Sequence, residues 1–256
     1  MVAVTEELPT PKRKYFTTPL QTSDVEILEA RSIVGRIYRR GGDHPTTWDK
    51  FRNYGAIPGT GRFDHHPLPA HRDHNRHAVL YGSLDDRECS ILTTCLLECF
   101  PEWVNRSMGQ PHFVIFQLTR PVYLLNLRSR WLKRCGGNGA IFDGDHVMSE
   151  RWSREIYLHY RNRNGRLIDS SGVEQNITLD GLYYRSSSEV PGATCIALYE
   201  TAKSAIPTNP LTDIPLSDSS LDNTLDSVCP PVGLKVAPLA LKRSGPRSVR
   251  PPLPTR

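Results

Sequence analysis

No stretch of the 256-residue chain stays apolar for the roughly 18–20 residues that a membrane-spanning helix needs. Met1 to Thr18 carries charges and prolines but no apolar core, so no secretory signal is visible. These two absences imply a cytoplasmic protein with no membrane partner. The six cysteines, Cys89, Cys95, Cys99, Cys135, Cys195 and Cys229, include no Cys-x-x-Cys pair and no Cys-His arrangement. In a reducing compartment they read as buried small residues, not as disulfides, metal ligands or nucleophiles. The chain also lacks any run of basic residues interleaved with aromatics, although its net charge is +5. Direct nucleic-acid binding is therefore poorly supported, and a spread positive charge suits the pyrophosphate of a dinucleotide as well.

Composition changes along the chain. Residues 1–30 read as a polar, proline-broken lead-in, and the core opens at Ile33 and runs to about Ala205, giving a main domain over 31–205. Ten of the 21 prolines then fall between Pro207 and Pro254, in a stretch with no aromatic residue. Such a segment buries little apolar surface against the entropy of ordering it, so 206–256 is expected to be a disordered tail. Within the core, Ala78–Tyr81, His112–Leu118, Val122–Leu127, Gly181–Tyr184 and Cys195–Tyr199 read as strands. Arg87–Phe100 and Trp152–Tyr160 repeat their apolar residues at helical spacing. The mixture predicts an α+β fold, a mixed β-sheet core with flanking helices.

Three patterns carry chemistry. One is Arg36-Ile37-Tyr38-Arg39-Arg40 with Gly61-Arg62-Phe63-Asp64 downstream. Another is Leu80-Tyr81-Gly82-Ser83 with the helix end Cys95-Leu96-Leu97-Glu98-Cys99-Phe100. The last is Asp180-Gly181-Leu182-Tyr183-Tyr184-Arg185-Ser186-Ser187. Arginine forks recognise phosphate oxygens in a planar, bidentate way. A tyrosine at a strand end offers a ring for stacking. A single carboxylate accepts a bond from a ribose hydroxyl or stabilises positive charge building on a sugar ring. A serine hydroxyl donates to another phosphate oxygen. The set suits a charged nucleotide, without selecting which one.

The order of these motifs resembles the RES family, named for its Arg, Glu and Ser residues. Tyr38-Arg39, Gly61-Arg62-Phe63, Leu80-Tyr81, Thr94-Cys95-Leu96-Leu97-Glu98-Cys99-Phe100, Gly181 to Ser186 and the closing run Ile196-Ala197-Leu198-Tyr199-Glu200 carry the resemblance, over about residues 33–205. It implies an ADP-ribosyltransferase-like fold and a toxin of a toxin–antitoxin pair. The activity implied is consumption of NAD⁺, as substrate, by hydrolysis or phosphorolysis, or transfer of ADP-ribose to a protein. By the resemblance, Arg39 and Arg62 hold the NAD⁺ phosphates and Tyr81 stacks on nicotinamide. Glu98 stabilises an oxocarbenium-like ribose, and Ser186 helps to anchor phosphate. A cognate antitoxin covering the active site is implied as partner.

The segment from Asp85 to Ser90 reads as an insertion before the helix end, which makes Glu88 a rival carboxylate. The Leu-Leu-Glu-x-Phe context favours Glu98. His65, His66, His71, His74 and His77 form a histidine-rich stretch, but the spacing is irregular and no metal is expected. A reading of a different class, a non-catalytic protein that binds a nucleotide or nucleic acid, predicts NAD⁺ left intact and salt-sensitive binding.

Overall fold

The computed structural model describes residues 7–16, 19–52, 61–66, 77–161, 165–188 and 190–239. Its strands are β1 (Leu20–Gln21), β2 (Val25–Leu28), β3 (Ile33–Arg39), β4 (Val79–Leu84), β5 (Trp103–Val104), β6 (Pro111–Gln117) and β7 (Val122–Asn126). They continue with β8 (Gly165–Ile168), β9 (Glu174–Ile177), β10 (Gly181–Arg185), β11 (Thr194–Tyr199), β12 (Thr212–Pro215) and β13 (Lys235–Val236). The α-helices are α1 (Ile91–Cys99), α2 (Arg130–Arg134), α3 (Ala140–Asp143), α4 (His146–Arg161) and α5 (Asp222–Val228). The α+β class read from the sequence is what the chain adopts.

Eight strands form one mixed sheet in the order β12-β6-β3-β4-β11-β10-β7-β2. All neighbours are antiparallel except β10 and β7. Every residue of β11 is buried, as expected for a central strand covered on both faces. One apolar cluster gathers Trp131, Trp152, Ile156 and Tyr160 of α2 and α4 against Leu125, Leu182 and Ala197 of the sheet. A second joins α1 to Phe113 of β6.

Helix α1 begins at Ile91, where the Ser90 hydroxyl caps the Thr93 amide at 3.2 Å. That is four residues later than the periodicity suggests, because Asp85 to Cys89 form a loop. The helix lies hard against β3: a side-chain carbon at Gly35 would stand 2.0 Å from Ile91 Cγ2, so only glycine permits this approach.

Two expected boundaries are corrected. Residues 19–30 are part of the fold: β2 pairs with β7, and buried Asp24 accepts from Arg134 of α2. Residues 206–239 are also part of it. β12 forms an edge of the main sheet, and Leu216, Leu225, Cys229 and Leu234 pack onto Leu92, Leu96 and Phe100. Few apolar residues suffice here because the surface they cover is supplied by α1. The remainder of the expected tail, 240–256, lies outside the described residues.

Candidate functional site

A cavity of about 500 Å³ opens where β3, β4 and α1 meet the segments 44–52 and 61–62. Arg39, Arg62, Tyr81 and Glu98, four of the five residues picked from the sequence, line it together. Glu98 is the sole carboxylate lining it among the described residues, and it faces Arg36, Arg39, Lys50, Arg52 and Arg62.

Each side chain is delivered by a different element. Arg39 ends β3 and its stem lies along Gly109, which adopts φ +74 where a Cβ would stand 2.9 Å from Arg39 Cδ. Arg62 follows Gly61 in a short loop. Its Nη1 donates to the Gly144 carbonyl at 2.9 Å and its Nη2 lies 3.0 Å from His146 Nε2, which fixes the fork at the N-terminus of α4. Burial lowers the Arg62 pKa, while nearby Glu98 raises it.

Tyr81 alternates out of β4 toward the cavity, and its hydroxyl is fully engaged. It donates to Asp64 Oδ1 at 2.7 Å and accepts from the Phe63 amide at 3.0 Å. Burial and the adjacent Asp64 charge push its pKa well up, so the phenol stays protonated. The hydroxyl is therefore committed to holding the ring, and what Tyr81 presents to the cavity is its ring. Asp64 also lies 3.4 Å from Arg52 Nε through its other oxygen. It occupies the space a side chain at Gly61 would need, since a Cβ there would stand 2.5 Å from Asp64 Oδ1. Asp64 carries no role in the motif as read from the sequence; its place directly after Gly61-Arg62-Phe63 is the signal for one.

Glu98 is one residue from the end of α1, and its Oε1 accepts from Ser186 Oγ. Ser186 itself is buried at the end of β10, with its hydroxyl also 2.9 Å from that of Ser188. Ser186, expected to help anchor phosphate, bonds the carboxylate here, and its neighbour Ser187 lines the cavity. Glu88, the rival carboxylate, is exposed in the loop before α1 and does not line the cavity.

Cys95, Cys99 and Cys195 complete the wall around Glu98. Burial pushes the Cys99 thiol up to about 11 and raises Cys95 and Cys195 further, so all three are neutral near pH 7. On the opposite side Tyr38, a lining residue, donates to both oxygens of Asp213 on β12, at 2.9 and 2.8 Å. Asp180, at the head of the third motif, is structural. Arg120 grips it with two bonds of 2.9 Å, tying the β6–β7 turn to β10.

Of the histidine stretch, His65 and His66 are buried, and His65 Nε2 lies 3.4 Å from Glu200 Oε2. His71 and His74 lie outside the described residues. Among the described residues no group of three or more His, Cys, Asp or Glu side chains is arranged to hold a metal ion. Among them, too, no helix is long and apolar enough to cross a membrane.

A family model described as RES domain matches residues 33–219. That span runs past the boundary expected at 205 and takes in β12. No curated protein and no solved structure matches the chain.

Proposed function

The chain belongs to the RES-domain family, and on that premise we propose that it consumes NAD⁺ by breaking the bond between nicotinamide and ribose. The observation that carries the reading is the carboxylate of Glu98, the sole one lining the cavity among the described residues, set in one cavity with Arg36, Arg39, Arg52 and Arg62. The cations suit the pyrophosphate, with Arg39 and Arg62 as its forks. The ring of Tyr81 suits the flat nicotinamide. As the C1′–N bond lengthens, positive charge grows on the ribose, and a fixed carboxylate stabilises that charge more than it stabilises the substrate.

The polarity of the cavity supports this assignment of roles. The neutral thiols beside Glu98 add no competing negative charge, and the bond from Ser186 holds the carboxylate oxygen in place before the substrate arrives. Water or inorganic phosphate would then add to C1′, and nicotinamide would leave with the bonding electron pair. Incubation of the full chain with NAD⁺, with and without phosphate, tests the reading. Release of nicotinamide with ADP-ribose or its 1″-phosphate is the expected result. NAD⁺ unchanged after prolonged incubation with well-folded protein would reject it. Radiolabelled ADP-ribose retained on a protein band would instead make the acceptor a side chain. As a RES toxin the chain would be held inactive by an antitoxin protein seated over this cavity, and co-expression that restores growth is the corresponding test.

A further inference from the structure

The cavity holds more positive charge than a pyrophosphate needs. Arg36, Arg39, Lys50 and Arg62 all line it, and among the described residues none of the four has a carboxylate within ion-pairing distance. Arg52 is matched by Asp64. If Arg39 and Arg62 take the two charges of the pyrophosphate, Arg36 and Lys50 are left over.

Arg36 lies against the backbone of the segment that carries Lys50. Arg36 Nη1 donates to the carbonyl of Trp48 at 3.0 Å and lies 3.4 Å from that of Lys50. The guanidinium thus rests on the backbone of the residue that supplies the second charge. Its Nε is buried without a hydrogen-bond partner. Burial lowers the Arg36 pKa to about 10, which still leaves it charged at neutral pH. Thr46 and His44 line the same wall. Asp49, the acid nearest in sequence, accepts from Thr47 Oγ1 at 2.7 Å, and its charge acts on Arg36 from beyond ion-pairing distance. An excess of like charges around a cleft raises its affinity for anions. A guanidinium, an ammonium and a hydroxyl make a donor set suited to a phosphate monoester.

We propose that Arg36, Lys50 and Thr46 form a second anion subsite that takes the 2′-phosphate of a phosphorylated nicotinamide dinucleotide, so that NADP⁺ is a substrate of this cavity alongside NAD⁺. The proposal rests on the NAD⁺ reading above. The reaction would be the same: the C1′–N bond breaks, its electron pair leaves with nicotinamide, a water oxygen joins C1′ and one proton goes to solvent. The product is 2′-phospho-ADP-ribose. Inorganic phosphate offers the same chemistry to the same donors, and the test separates the two sources.

Calorimetric titration of the full chain with ADP-ribose and with 2′-phospho-ADP-ribose, neither of which has nicotinamide to lose, reads the subsite directly. The phosphorylated probe should bind about tenfold tighter or more, the scale of one hydrogen bond to a charged group. In Lys50→Ala, a change at an exposed side chain, the affinity ratio of the two probes should fall about tenfold. Thr46→Val should lower it by a smaller factor. Equal binding of both probes to the wild-type chain would overturn the subsite while leaving the NAD⁺ reading intact. Equal binding together with inorganic phosphate affinity that vanishes in Lys50→Ala would also overturn it, by assigning the donors to the free ion. Binding of neither probe would overturn the reading of the cavity and the subsite with it.

Discussion

Replacing Glu98 by glutamine removes one charge and almost no volume. Glutamine keeps a side-chain oxygen that can accept the Ser186 hydroxyl, so the end of α1 has no reason to move. On the proposed reading, what is lost is the attraction between a carboxylate and the positive charge that forms on the ribose. Two unit charges about 4 Å apart in an effective dielectric of about 20 interact by about 4 kcal/mol. At 1.36 kcal/mol per decade that is about a thousandfold in rate. No other carboxylate lines the cavity among the described residues to take over the role. The assay is single-turnover release of nicotinamide from NAD⁺, with a thermal melt of each variant as the check on folding. Ser186→Ala serves as the partial case: the charge stays but loses a hydrogen bond, worth roughly 1.5 kcal/mol or about tenfold. Should Glu98→Gln melt like the wild type and keep its rate within tenfold, the electrostatic role of Glu98 is wrong.

Asp64→Asn removes the charge facing Arg52 and weakens the hold on the Tyr81 hydroxyl. The KM for NAD⁺ should rise about tenfold with a smaller change in kcat, on the scale of a charged hydrogen bond; initial-rate kinetics with an unmoved KM would show that Asp64 does not position the binding groups. Glu200 is buried among His65, His77 and Tyr157, whose hydroxyl donates to it, with Lys203 also nearby, and burial raises its pKa from the usual carboxylate value to about 7. Between the unfolded pKa and about 7 the folded chain keeps a proton that the unfolded chain has released. Stability from this group is therefore present at low pH and lost as pH rises through that window. Glu200→Gln should flatten the fall in melting temperature between pH 5 and pH 7, and an identical slope in both proteins would count against the assignment. Leu225→Ala, in the C-terminal segment over α1, should cost about 2–5 kcal/mol in urea unfolding; a loss below about 0.5 kcal/mol would mean that the segment is not part of the cooperative core.

The central strands and the long helix were legible because their apolar residues repeat with a period that burial on a sheet or helix demands. β6, β7, β10 and β11 each fall within one residue of the spans read from the pattern, and β4 runs three residues further than its span. The strand β3 was seen only as a motif, since Arg36 and Arg39 interrupt its apolar alternation for the sake of the cavity. The C-terminal segment was missed for a different reason. Local composition measures what a segment can bury by itself, and residues 206–239 bury their few leucines against a surface made by α1. That Arg39, Arg62, Tyr81 and Glu98 share one cavity was legible because the motifs run in a recognisable order. The bond from Ser186 to Glu98 was not, because a hydroxyl that faces a phosphate and one that bonds a carboxylate look the same in a sequence.

The thiol wall bears on why a single carboxylate is enough. Cys95, Cys99 and Cys195 line the cavity where hydrophilic side chains would otherwise hydrate Glu98, and burial holds all three protonated. A neutral, polarisable wall lowers the local dielectric without adding charge, and in a low dielectric one fixed charge acts more strongly on a charge that develops nearby. The same wall discourages a thiolate nucleophile, since deprotonation beside Glu98 would place two negative charges together. The arginines lie close to this wall, Arg36 and Arg39 near Cys99 and Arg62 near Glu98 itself, so positive charge surrounds the sole carboxylate that lines the cavity among the described residues. On the proposed reading, a dinucleotide held by these arginines breaks at its more labile glycosidic bond, the one to the cationic nicotinamide, and Glu98 would favour the charge that grows on the ribose as it does.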